Sequence, residues 1–293
     1  MDRYKEDLFQ LQAKIERGDK LITGLADEKI RWEKSLVSLD EQYYNLVGDA
    51  ALAASFMSLC GPFPADFREE LNKLWLKKIK SLQIPHNAEY QFIKFLGSQA
   101  TIKKWQMDGL PIDQFSTENG VCITKGERWA LNIDPQTQAN SWIKKMYGKN
   151  LTILDVNDKK MLQKMSQCVQ KGKVVLLQDV LETLDPSMDN LLNKSVIKMG
   201  SDLFVKLGDG EVLYNPKFQL FITTRMSNPH YTPEVSTKVN VINFTIKEQG
   251  LEEQCLGIVV EQEQPALESN KNQLVDKIEN GQKQLKDLED GIL

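Results

Sequence analysis

The chain has 293 residues, 41% of them hydrophobic and 27% charged, which suits one large or two modest domains of an ordinary soluble kind. A formal net charge of −4 gives no global basic field for nucleic acid or a membrane surface, and no apolar run approaches the ~18 residues of a membrane span. Only two histidines, His86 and His230, and four scattered cysteines, Cys60, Cys122, Cys168 and Cys255, argue against a metal centre and for free thiols in a reducing compartment.

The first segment places Leu8, Leu11, Ile15, Gly18, Ile22, Leu25, Lys29, Trp32, Leu36, Leu39, Tyr43 and Leu46 at alternating spacings of three and four. All but Gly18 and Lys29 are apolar or aromatic, so the pattern predicts a coiled-coil helix reaching roughly 65–70 Å. Residues 48–59 read as helix, stopped by Gly61-Pro62, and residues 66–82 as an amphipathic helix ended near Pro85. One or two short helices are expected between 90 and 107. Residues 129–133 read as the first core strand, 136–147 as a helix, 151–154 as a strand, 158–171 as a helix and 174–177 as a strand. Asp185-Pro186 opens a short helix running to Leu192. Residues 203–207 and 211–214 flank Gly208-Asp209-Gly210, a hairpin signal, and 218–223 and 238–244 supply two further strands. Strands alternating with helices imply a parallel sheet with right-handed crossovers. Behind Pro265, Leu267, Leu274, Ile278, Leu285, Leu288 and Ile292 form a second heptad lattice, interrupted by Lys271 and Gly281. The pattern alone leaves open whether the two seams pair with each other or with absent chains.

The most informative stretch runs from Arg128 to Trp142. It reads as a strand, a tight loop and a helix, the architecture of a phosphate-binding loop. A working loop follows G-x-x-x-x-G-K-[ST], in which glycines let backbone N–H groups approach phosphate and the lysine adds charge. Here Asp134 stands at the first glycine, Ala139 at the second and Asn140 at the lysine, while Ser141 keeps the hydroxyl of a magnesium ligand. The strand ending in Gln178 and Asp179 offers an amide, then one acid, where a hydrolase places Asp and Glu. An amide is a poor magnesium ligand beside phosphates. Each lost charge-assisted contact costs roughly 1.5–3 kcal/mol, so two or three losses carry micromolar binding past millimolar. The expected nucleotide site is therefore empty, with Asp134, Gln178 and Asp179 left to cap helices and tie loops.

The chain resembles the fifth AAA+ module of dynein heavy chains. The resemblance rests on Gly109-Leu110-Pro111-Ile112-Asp113-Gln114-Phe115-Ser116, Glu118-Asn119-Gly120, Arg128-Trp129, Ile133-Asp134-Pro135-Gln136, Gln138-Ala139-Asn140 and Trp142-Ile143-Lys144. It continues through Phe221-Ile222-Thr223-Thr224, Asn228-Pro229-His230-Tyr231, Pro233-Glu234-Val235-Ser236, Ile242-Asn243-Phe244-Thr245 and Gly250-Leu251-Glu252. Leu46-Val47-Gly48-Asp49 and Gly61-Pro62-Phe63 look axonemal rather than cytoplasmic. The resemblance implies an α/β, AAA+ (P-loop-like) parallel-sheet large domain flanked by two long coiled-coil helices. Residues 1–47 would be the returning helix of the stalk, 48–127 a helical lead-in, 128–246 the α/β domain and 247–293 the helices entering the buttress.

That family implies a non-catalytic ring module that passes ring movements to the stalk through the buttress. Its partners would be neighbouring AAA+ modules, the outgoing stalk helix and a second buttress helix, with the microtubule met only indirectly, in a ciliary axoneme. ATP, ADP and magnesium would belong to other modules of the motor. Asn228 resembles a polar sensor residue, although Asn228-Pro229 also suits a plain turn. Lys238, just before the last strand, stands where AAA+ modules often put an arginine reaching the neighbour's nucleotide; an exposed edge-strand lysine is the plainer alternative. Two other functions compete: an ATPase module with a divergent loop, and a free-standing coiled-coil scaffold.

Overall fold

The computed structural model describes residues 2–246, 248–266, 269–270, 273–274, 277, 280–281, 284–285 and 287–288. It divides into two compact units, Met1–Ala51 with Lys77–Tyr90, and Leu52–Leu76 with Gln91–Leu293.

The first unit is built on α1 (Asp2–Ser55) and the end of α2 (Ala65–Ser81). α1 is one helix of 54 residues and passes residue 47 without a break. Of its expected seam, Leu11, Ile15, Trp32, Leu36, Leu39, Tyr43 and Leu46 are exposed; the side chains of Leu8, Ile22 and Leu25 lie outside the description. Gly48 N–H donates to the Pro85 carbonyl at 3.1 Å, and a Cβ on Gly48 would stand 2.2 Å from that oxygen, so only glycine permits the approach. Beside it, the buried Asp49 accepts from Asn87 N–H at 2.9 Å.

The second unit carries helices α3 (Phe92–Leu96), α4 (Gln99–Met107), α5 (Gln114–Lys125), α6 (Gln138–Tyr147), α7 (Met161–Lys171), α8 (Asp189–Leu192), α9 (Pro233–Lys238) and α10 (Glu248–Glu263). Its strands are β1 (Ala130–Ile133), β2 (Leu151–Asp155), β3 (Val174–Gln178), β4 (Val196–Met199), β5 (Asp202–Leu207), β6 (Gly210–Leu213), β7 (Gln219–Thr224) and β8 (Asn240–Asn243). Five of these form a wholly parallel sheet in the order β2-β3-β7-β1-β8, and β4-β5-β6 form a separate antiparallel sheet. Strands β1, β3, β7 and β8 are short and buried on both faces over most of their length, as parallel strands inside an α/β domain are, whereas β2 is only partly buried. Leu131, Val175, Leu177, Ile222 and Val241 from the strands pack with Met165 and Val169 of α7 in one core cluster.

The expected α/β order holds, with differences that have local causes. α6 begins at Gln138, not 136, because residues 134–137 turn first: Thr137 takes a left-handed φ of 58° and its N–H donates to the Asp134 carbonyl at 3.2 Å. α7 begins at Met161, not 158, because the Asp158 carboxylate accepts from Lys160 N–H (2.9 Å) and Lys164 Nζ (2.6 Å) and closes a turn. β8 begins at Asn240, so Lys238 ends α9 and does not lie in a strand. β4 was not expected; it pairs with β5 across a Gly200-Ser201 turn. α5 falls within the expected helical lead-in of 48–127, but no helix with its own bounds was expected there. Eight of its twelve residues are buried, including Ser116, Thr117, Glu118 and Asn119, so it shows no amphipathic period. Some of its polar groups are tied down: Asp113 caps it by accepting from Ser116 N–H (2.7 Å), and Asn119 Nδ2 donates to the Asn243 carbonyl (2.8 Å). In the second heptad lattice Leu274, Leu285 and Leu288 are exposed, while Leu267, Lys271, Ile278 and Ile292 lie outside the described residues.

α1 runs into a single π-helical turn, Phe56–Cys60, whose end is held by Arg68 of α2. Arg68 is 2% exposed and donates to the carbonyls of Cys60 (3.0 Å), Gly61 (2.9 Å) and Phe63 (2.9 Å). Its guanidinium lies 3.4 Å from Glu118 and 4.2 Å over the Phe115 ring. The Gly61 carbonyl also accepts from Asn243 N–H (2.9 Å), closing the β8 border of the sheet, and a Cβ on Gly61 would stand 2.2 Å from the Val241 oxygen.

All four cysteines are free, with Cys60, Cys122 and Cys168 buried and Cys255 exposed. Burial pushes the Cys60 thiol up to about 11 and the Cys122 thiol up to about 12. A maleimide titration of the native chain at pH 8 should therefore consume one thiol quickly, at Cys255, and four after unfolding. Rapid native labelling of Cys60 or Cys122 would contradict the packing described.

Candidate functional site

In an open parallel sheet, ligands bind where loops leave the carboxyl ends of the strands. At that edge the loops after β1 and β3 both lean on the end of β7. Asp134 N–H donates to the Thr224 carbonyl (2.8 Å) and Val180 N–H to the Thr223 carbonyl (3.1 Å). The sheet thus brings Asp134, Asn140, Ser141, Gln178 and Asp179 to one edge.

Asp134 is 1% exposed, and its carboxylate faces the first turn of α6. Oδ1 accepts from Gln138 N–H and Oδ2 from Asn140 N–H, each at 2.8 Å. Burial pushes this carboxyl up, while backbone N–H donors from Asn140, Gln138 and Ala139 pull the other way. Asn140 spends its side-chain amide on Thr223 Oγ1 at 3.4 Å. Ser141 Oγ donates to the Thr137 carbonyl (2.7 Å) and is exposed.

At the end of β3, Gln178 is half-buried, and Asp179 adopts φ 58°. The Asp179 carboxylate takes both Nε and Nη2 of Arg225 in a two-pronged ion pair. That pairing raises the Arg225 guanidinium above its usual range. Arg225 was missed in the sequence, although a cation directly after Phe221-Ile222-Thr223-Thr224 was a visible signal. Gln254 of α10 was also missed: its side chain accepts from Gln138 Nε2 (3.2 Å) and donates to Asp113 Oδ2 (3.1 Å). Asn228 lies four residues beyond β7 and is exposed.

Lys238 does not join this group. Asn240 pairs with Ala130 at the start of β1, which puts Lys238 at the opposite edge of the sheet from Asp134. Its ammonium meets Asp189 of α8 (2.8 Å) and Glu234 of α9 (2.7 Å) with only 13% of the side chain exposed, so it is not an exposed lysine on an edge strand. The Asp189 and Glu234 partners raise its pKa.

Chemically, the five residues at the loop edge offer a phosphate one carboxylate already engaged, two neutral amides, a back-bonded hydroxyl and an acid neutralised by arginine. None of them supplies a cation.

Residues 103–293 match the family described as "ATP-binding dynein motor region", and residues 9–79 that described as "Microtubule-binding stalk of dynein motor". The α/β domain is accordingly of the AAA+ type. Over 286 residues the chain is 47% identical to dynein axonemal heavy chain 2 of Mus musculus. Over 289 residues it is 47% identical to the dynein-1-beta heavy chain, flagellar inner arm I1 complex, of Chlamydomonas reinhardtii. Over 285 residues it is 42% identical to dynein axonemal heavy chain 1 of Homo sapiens. These matches cover 97%, 98% and 97% of this chain, and 6%, 6% and 7% of those relatives. With stalk and motor region both drawn from the same machine, the chain belongs to the dynein heavy chain family.

Proposed function

We propose that this segment is the fifth AAA+ module of an axonemal dynein, a non-catalytic body that relays ring movements to the stalk through the buttress. The reading divides the chain into a returning stalk helix (1–47), a helical lead-in (48–127), the AAA+ α/β domain (128–246) and the entry to the buttress (247–293). The observation that carries it is the Asp134 carboxylate seated on the N–H groups of Gln138 and Asn140, where a phosphate would otherwise be held. Neutral Asn140 and Gln178, and Asp179 engaged by Arg225, support it from the other side of the loop. Axonemal and flagellar relatives favour work in a cilium or flagellum.

The exposed apolar positions of α1 favour a partner helix, read here as the outgoing stalk strand; the second buttress helix and neighbouring AAA+ modules complete the partners. The microtubule would be met at the far end of the stalk, beyond this chain. Lys238 is retained as a contact toward the neighbouring module's nucleotide, and it must first leave Asp189 or Glu234. A second reading, an ATP-binding module with a divergent loop, draws on the family description itself.

Calorimetry with MgATP and MgADP separates the two readings. The non-catalytic module gives no binding heat at micromolar concentration and no tighter than millimolar affinity, as expected after losing two or more charge-assisted contacts. Micromolar binding would establish the ATP-binding alternative.

A further inference from the structure

We propose that Asp134 is a built-in occupant of the phosphate loop, a tethered carboxylate that keeps the loop permanently in its filled form. The proposal rests on the non-catalytic reading and deepens it. The first N–H groups of α6, a helix of ten residues, have no partner within the helix and carry its positive end. Asp134 is not an ordinary cap. A cap residue sits directly before the helix and serves the second or third N–H. Here that position belongs to Thr137, whose side chain caps nothing. Asp134 stands three residues further back, at the end of β1, and reaches over the turn to the first and third N–H groups, Gln138 and Asn140. Both carboxylate oxygens are used, and the residue is 1% exposed.

The rest of the loop is fastened around this arrangement. Asp134 N–H is fixed to the Thr224 carbonyl at 2.8 Å, and Thr137 N–H to the Asp134 carbonyl at 3.2 Å. Ser141 N–H and Oγ both donate to the Thr137 carbonyl, at 3.0 and 2.7 Å. A ligand held on the same backbone competes at a high effective concentration, so a free anion has to displace it rather than fill a gap. The loop thereby has one state whatever the nucleotide level, which a relay body needs and a cycling ATPase does not.

Vacating the seat should expose a small anion site. In the 293-residue chain, Asp134→Ala should melt below wild type. Inorganic phosphate or pyrophosphate should then raise its melting temperature by about 2–4 °C over sodium chloride of equal ionic strength. Wild type, in which the seat stays filled, should gain nothing beyond the salt control. If the alanine variant does not fold, the wild-type amide protons of Gln138 and Asn140 still decide. They should be slow to exchange and unmoved by phosphate in nuclear magnetic resonance spectra, and a phosphate-dependent shift of either would overturn the proposal. An alanine variant no more stabilised by phosphate than wild type, with wild type silent toward ATP, overturns the tethered occupant alone. ATP hydrolysis at this module overturns the non-catalytic role whatever phosphate does to the variant.

Discussion

Replacing Arg68 by methionine should cost the chain about 3–5 kcal/mol, because one partner of a buried, hydrogen-bonded ion pair is removed while the other stays. The substitution strips donors from the carbonyls of Cys60, Gly61 and Phe63 and leaves Glu118 as an uncompensated charge. Burial raises the Glu118 carboxyl and lowers the Arg68 guanidinium, and each charge offsets the other's desolvation. The deficit should depend on pH with a definite sign. Without Arg68, Glu118 is raised further, so its folded form prefers the proton. That preference is satisfied below the ordinary value of 4.5 and lost as pH rises through the folded value. The variant should thus lie nearest wild type at acid pH and fall away toward neutrality. Adding Glu118→Gln should recover part of the loss and flatten the pH dependence. Urea unfolding followed by circular dichroism measures all three. A loss under about 1 kcal/mol at neutral pH would mean that the pair sits in a far wetter place than its 2% and 10% side-chain exposures indicate.

Trp142→Ala should be the other severe substitution, at about 3–5 kcal/mol. Trp142 is fully buried on α6 and meets Trp105 edge to face, with ring centroids 5.9 Å apart and an interplanar angle of 75°. That ring pair adds about 0.5–1.5 kcal/mol beyond the area buried. Among the described residues the indole Nε1 has no hydrogen-bond partner. Trp142→Phe therefore gives up volume but no bond, and should cost well under half as much as the alanine change. Thermal unfolding of the two variants tests the ranking, and equal losses would imply a hydrogen bond on the indole. Because α6 begins at the loop, the alanine change should also speed amide exchange at Gln138 and Asn140.

The elements that were legible in the sequence are those whose signals are local. β1, the loop and α6 follow from a short apolar run, a turn and a helical period; the β5–β6 hairpin follows from Gly208-Asp209. α5 gave no period because both its faces are buried, and two of its buried polar residues meet groups far along the chain, Glu118 with Arg68 and Asn119 with the carbonyl of Asn243. Period alone reads such a helix as loop. The same limit applied at the candidate site. Asp134, Asn140, Gln178 and Asp179 could be named from their positions, but not the way each is engaged. The Arg225 partner of Asp179 lies across a strand crossover, and the reach of Asp134 over its own turn depends on the left-handed backbone at Thr137. Lys238 was misassigned to a strand because a six-residue helix ending in Ser236-Thr237-Lys238 carries little helical signal, and Asp189 is remote from it in sequence.

The two borders of the parallel sheet are unlike. At β8 the Gly61 carbonyl takes the Asn243 N–H, whereas among the described residues β2 pairs with β3 alone and leaves Ile153 48% exposed. Strand-by-strand growth into aggregates during heating or storage therefore has its open template at Leu151–Asp155. A charge placed at Ile153 is the substitution that should lengthen shelf life without touching the core.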